Sequence, residues 1–325
     1  MIKLQWIASY PCATIRLMAW ATILCSGCAT DALQQQAAND RKLQRTEQLL
    51  VAAGDADSLA AAAMLSVGPT VLPEQRLTLM ARAVSQAPDH PDLVWLNIRL
   101  CTPVESCDPA PLEMRLRALD ADNGAAWFDS FDRAAKRNDA IAVRAELAAL
   151  ARSDRFDVYW NATVAHLVNA ILKTHTLDLR TALLMSIGVA SATSIPAFQP
   201  LSNACKGEAL QDPEVLSACR LVSTALRSGD TYLAELIGVA IAKRTLPEGS
   251  PEYTDAVNAK RTAHYRMAVD GEFELHHLVF SKYAAKRLQL MMVKRTEQEV
   301  NLAEILNAKL DPNPPAAWTD RWGGS

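Results

Sequence analysis

An all-α fold is the class this sequence predicts, and three observations point to it. Ala and Leu supply 96 of the 325 residues, whereas glycine numbers 12 and aromatics make up 6%. Strong helix formers with so few turn-makers argue against a sandwich or barrel. Half of the residues are hydrophobic and 21% are charged, with a net charge of −3. That balance fits a folded chain and excludes long-range disorder, a collagen-like chain or a basic nucleic-acid-binding tail. Finally, from about Thr46 the apolar spacing turns helical, and helix-breaking junctions recur at a near-constant interval.

The first element is a targeting segment. Lys3 and Arg16 are its only charges, and Leu17 to Leu24 is an apolar run of eight residues with Thr22 as its one hydroxyl. As helix it would span about 12 Å, under half of the roughly 30 Å hydrocarbon core, so a signal-peptide core fits and a stable transmembrane anchor does not. It ends in Leu24-Cys25-Ser26-Gly27-Cys28, which resembles the lipobox of bacterial lipoproteins: an aliphatic residue, two small ones, then the modified cysteine. Cys25 stands where that family usually has Leu. The resemblance implies cleavage before Cys28, diacylglycerol on its sulfur and acylation of the new amine, so that acyl chains hold the protein to a membrane. In the enterobacterial sorting pattern, Ala29 in place of Asp implies the periplasmic face of the outer membrane.

Cysteine usage points the same way. Cys12 and Cys25 leave with residues 1–27 and Cys28 carries lipid, which leaves Cys101, Cys107, Cys205 and Cys219. An even remainder in an exported chain suggests disulfides. Of the three possible pairings, Cys101–Cys107 with Cys205–Cys219 closes the shortest loops; a bridge closing about 15 residues contributes about 3 kcal/mol in the chain-entropy picture. A metal site would want C-x-x-C spacing or histidine neighbours, and neither is present. The mature chain keeps 31 basic against 36 acidic residues, so no electrostatic case exists for nucleic acid or anionic headgroups.

Residues 28–45 read as a polar, glutamine-rich tether. Over 46–176, Trp95, Trp127 and Trp160 lie 32 and 33 residues apart, each after a junction: Ala87-Pro88-Asp89-His90-Pro91, Leu119-Asp120-Ala121-Asp122-Asn123-Gly124, and Ser153-Asp154-Arg155-Phe156-Asp157. Ala81 and Val84, Leu116 and Leu119, and Leu147 and Leu150 precede them at helical spacing. The pattern resembles the tetratricopeptide repeat, with Arg117 to Asn123 as the nearest match, over Ser58 to Thr176. The Leu-Gly pair and the following Tyr of that repeat are absent, and a loop bracketed by Cys101 and Cys107 interrupts the first unit. The resemblance implies stacked antiparallel helix pairs with Trp95, Trp127 and Trp160 in the core, and an open concave face for a partner protein or peptide.

Residues 177–310 read as a C-terminal helical region without repeats. Leu177 to Phe198 is apolar but interrupted by Ser186, Ser191, Thr193 and Ser194 and stopped by Pro196 and Pro200, so a buried helix is expected, not a membrane span. Helices are then expected at 213–228, 230–245, 251–270 and 272–309, with Pro247 to Pro251 as a turn. Residues 311–325 form an extended tail whose Trp318 and Trp322 are available to pack back on the helices.

Chemistry is sparse. Glu272, Glu274, His276 and His277 form the best catalytic candidate, but a zinc protease needs H-E-x-x-H, and adjacent histidines diverge by about 100° on a helix. His166 and His175 read as ordinary helix or loop residues. No G-x-S-x-G, P-loop or G-x-G-x-x-G occurs. The expectation is a non-catalytic lipoprotein scaffold without cofactor, binding another envelope protein; the alternative is an envelope hydrolase, or an inhibitor of one, using Glu272–His277.

Overall fold

The computed structural model describes residues 38–66 and 72–320, with backbone alone at 274–279. The chain divides into two units, Met1–Thr46 and Glu47–Ser325. Of the first, the described residues 38–46 are helical although they fall in the stretch read as a tether: no Gly or Pro interrupts their Gln, Arg, Lys and Leu.

The second unit is all-helical among the described residues, its only β feature an isolated bridge between Asn123 and Arg155. After α1 (47–53) come α2 (Ala56–Leu65), α3 (Pro73–Gln86), α4 (Pro91–Cys101), α5 (Ala110–Leu119), α6 (Ala125–Lys136), α7 (Ala140–Leu150), α8 (Trp160–Lys173), α9 (Leu179–Thr193) and the short α10 (Gln199–Ala204). A 3-10 turn, Gly207–Gln211, leads to α11 (Pro213–Arg227), α12 (Tyr232–Thr245), α13 (Pro251–Val279), α14 (Ser281–Val293) and α15 (Glu297–Asn307).

The starts of these helices are written in the sequence. Pro73, Pro91, Pro213 and Pro251 stand at first positions, where the missing N–H is no loss. Asp55, Asp139, Asp178, Asp212 and Thr231 each accept a backbone N–H of the first turn of the helix they precede. Thr296 and Glu299 form a reciprocal capping box that begins α15. That box, together with extended backbone at Phe280 and Lys294, corrects the expected helix over 272–309: the region holds the end of α13, all of α14 and all of α15.

From α2 to α7 each helix packs on the next, α7 then packs on α11, α11 on α12 and α12 on α13. Helices α8 and α9 pack on each other and on α2 and α14, α9 also reaches α4, and α10 reaches α6. Trp95 Nε1 donates to Ser194 O at 3.2 Å and Arg99 Nε to Thr193 O at 3.3 Å, which fastens the end of α9 to α4. Helix α9 is also less buried than its apolar sequence suggests: Ala182, Leu183, Ser186 and Ala190 face inward, whereas Leu184 is 48% exposed.

The interior centres on Phe128, Phe131, Phe156 and Phe198, with ring centroids 5.4–6.3 Å apart for the contacting pairs. Tilted and edge-on contacts of this kind add about 0.5–1.5 kcal/mol per pair beyond area burial. Cys101 comes within disulfide distance of Cys107 and Cys205 of Cys219, with Cα separations of 5.4 and 5.7 Å. At the other end the tail turns back along α13, where Trp318 meets the ring of Tyr265 at 5.6 Å and Arg266 Nε donates to Pro312 O at 3.1 Å. None of the described helices is long and apolar enough to cross a membrane.

Candidate functional site

The junction between α7 and α8 is where backbone strain, buried charge and a cavity meet. Tyr159, the residue before α8, has φ 58° and ψ 36°, a left-handed conformation that a bulky side chain adopts at a cost of about 1–3 kcal/mol unless its surroundings fix it. Here they do. Its hydroxyl donates to Asp120 Oδ2 at 2.6 Å and accepts from Asn123 Nδ2 at 3.0 Å. Asn123, fully buried, accepts from Asp157 N (2.8 Å) and Ala125 N (3.0 Å) on its carbonyl oxygen. The junction after α5 is thereby tied to the junction after α7, and the Gly124 N–H adds a 2.8 Å bond to Arg155 O.

Charges complete the network. Arg155 contacts Asp120 and reaches Asp157 Oδ2 from Nε at 2.9 Å. From the far end of the sequence, Arg295 Nη1 meets both Asp157 oxygens at 2.5 and 2.7 Å. Tyr159 offers α8 no side-chain cap; Asp230, in the turn between α11 and α12, supplies one instead, accepting from Val158 N at 2.9 Å and Trp160 N at 2.7 Å. The approach demands glycine next door, because a Cβ on Gly229 would stand 2.7 Å from Phe156 O.

Burial, and then Asp157 nearby, push the Asp230 carboxyl well above the ordinary range, against its two N–H donors and Arg295. Burial also raises the Tyr159 hydroxyl, as does Asp120, so it stays protonated and serves as a donor. Burial opposes the charge of Arg155, but Asp120 and Asp157 outweigh it and raise its pKa.

Above this floor opens a cleft of about 390 Å³ between α8 and the α14–α15 connection, its walls including Tyr159, His166 and Asn169 on one side and Met292, Val293 and Arg295 on the other. Met292 is 60% and Val293 75% exposed, so the lip is apolar above an ionic floor. His166 Nδ1 lies 3.2 Å from Asp92 Oδ2 of α4, a contact that raises the imidazole pKa against the opposing effect of burial. The lining contains no serine, threonine or cysteine among the described residues, and its one phenol, Tyr159, is already bonded to Asp120 and Asn123.

Of the residues singled out from sequence, Trp95 and Trp160 are buried, whereas Trp127 is half-buried with the Arg117 guanidinium 4.0 Å over its ring. Cys28 lies outside the described residues, as do the side chains of Glu274, His276 and His277, while Glu272 is exposed on α13. The described residues hold no group of three or more His, Cys, Asp or Glu able to bind a metal. Sequence reasoning noticed the junctions around Asp120 and Asp157 as repeat boundaries but missed that they pair; the 34-residue offset between Asn123 and Asp157 was the available signal. Nothing local marked Asp230 or Arg295, and His166 was read as ordinary. Comparison with protein-family models, with curated proteins and with solved structures returns no match to this chain.

Proposed function

We propose that this protein is a lipid-anchored helical scaffold on the periplasmic face of the outer membrane, and that it binds another envelope protein without catalysing a reaction on it. The observation that carries the reading is the Leu24-Cys25-Ser26-Gly27-Cys28 sequence at the end of an eight-residue apolar run. Two cysteine pairs at disulfide distance support an oxidising compartment. The finer architecture belongs to the same proposal. Helices α2 to α7 form degenerate tetratricopeptide-like pairs, supported by neighbour-on-neighbour packing and by the tryptophan interval.

In this reading the face that such a stack leaves open is filled by the chain's own α8 to α10, as their packing on α2, α4 and α6 suggests. The partner then docks at the cleft between α8 and α14, an apolar side chain seated against Met292 and Val293. A cleft with a rigid, hydrogen-bonded floor suits holding a partner because little order is lost on binding. Mild crosslinking followed by co-purification tests this. One reproducible envelope partner is expected with the wild-type chain and at least roughly tenfold less of it with Met292→Glu, a substitution that moves an exposed side chain. Recovery of no partner under several growth conditions, or undiminished recovery with the variant, contradicts the reading.

A further inference from the structure

A second cavity, about 420 Å³, opens between α12 and α13 and shares no lining residue with the cleft just described. Leu236, Val239 and Ala240 form an apolar face along α12, with Val239 1% exposed. Lys243, Arg244 and Lys260 bring three positive charges to the same space. Arg244 is held by Ser202, at 3.0 Å to Oγ and 3.3 Å to the carbonyl oxygen, yet among the described residues no carboxylate pairs with any of the three. The neighbouring His264 is already committed, its Nδ1 2.6 Å from Asp320 of the tail.

Three unneutralised cations around one cavity are unusual in a chain whose net charge is −3, since like charges gathered beside apolar surface repel and gain nothing from desolvation. A helix C-terminus attracts cations, and this accounts for Lys243 and Arg244 in the last turn of α12. It does not account for Lys260, which stands in the body of α13, away from either helix end. A volume in the range of small-ligand pockets, an apolar floor and a cationic rim together describe the complement of one chemical class.

We infer that this cavity binds a small amphiphilic anion: an aliphatic chain laid on Leu236, Val239 and Ala240, with its charged head between Lys243, Arg244 and Lys260. The head is a carboxylate or a phosphate, which these side chains receive alike as point charges and, from Arg244, as a fork. The inference does not rest on the scaffold reading and survives if the chain has no protein partner.

Calorimetric titration of the whole chain with dodecanoate, dodecyl phosphate, dodecanol and inorganic phosphate tests it. At least one of the two dodecyl anions is expected to bind, and the tighter of them identifies the head. Dodecanol and inorganic phosphate should each bind about tenfold more weakly or worse, lacking one half of the recognition. The Lys243→Glu/Lys260→Glu variant, checked for unchanged helical circular dichroism, should lose about tenfold or more for the anion that binds. Absence of binding by both dodecyl anions overturns the inference. So does equal binding by the variant, or inorganic phosphate binding as tightly as dodecyl phosphate.

Discussion

Alternate residues of one short segment feed two different interiors. Phe156 enters the aromatic cluster with Phe128 and Phe198 and Val158 is buried at 1% exposure, while Arg155, Asp157 and Tyr159 enter the ionic network with Asp120, Asn123, Asp230 and Arg295. The apolar side gains from any close-packed arrangement of large side chains. The ionic side gains only when donors and acceptors meet in register, since a carboxylate that loses its partners inside a protein is worse than none. The same five residues thus carry one half that contributes stability and another that contributes conformational uniqueness, and the strained Tyr159 sits where the two meet.

That contrast can be broken from its largest expected effect downward. Phe128→Ala removes a 1% exposed ring from the centre of the aromatic cluster and should cost about 3–5 kcal/mol, read as a lowered denaturant midpoint with unchanged slope. Asp230→Asn keeps an acceptor but can offer an N–H where Val158 N or Trp160 N needs an oxygen; it should cost about 1–3 kcal/mol. If Asp230→Asn proves harmless while Phe128→Ala behaves as expected, the ionic side is decorative and the comparison fails.

The smallest effect is electrostatic. His166 has a folded-state pKa above its ordinary 6.5, chiefly through Asp92. Its contribution is therefore fully present below the unfolded value and disappears as pH rises through the higher folded value. The stability difference between wild type and His166→Gln should shrink as pH rises above 6.5, measured by urea unfolding at each pH. The raised Asp230 carboxyl gives stability the same sign of pH dependence, but it is present in both proteins and cancels in the difference. A difference that grows with pH would mean that Asp92 does not hold the imidazole.

What the sequence made legible follows the same division. The all-α class was legible because helix formation is local: composition, Pro at first positions and Asp or Thr caps declare themselves within four residues. The Cys101–Cys107 and Cys205–Cys219 pairs were also within reach, being separated by 6 and 14 residues. The site was not. Asp157 meets Arg295 across 138 positions and Val158 meets Asp230 across 72, and no periodicity encodes such pairs. The setting of Trp127 was hidden for a related reason. An aromatic at the repeat interval suggests core, yet Arg117 claimed its face, and a cation over a ring is decided by tertiary approach. His166 looked ordinary because Asp92, which gives it character, belongs to α4.

Everything proposed about location and anchoring turns on one thiol. Metabolic labelling of bacteria expressing the full chain with a palmitate analogue, wild type beside Cys28→Ala, tests it most directly. The account predicts acylated wild type and an unlabelled variant. Equal labelling of the two, or a wild type whose intact mass is that of the uncleaved, unacylated polypeptide, would contradict it.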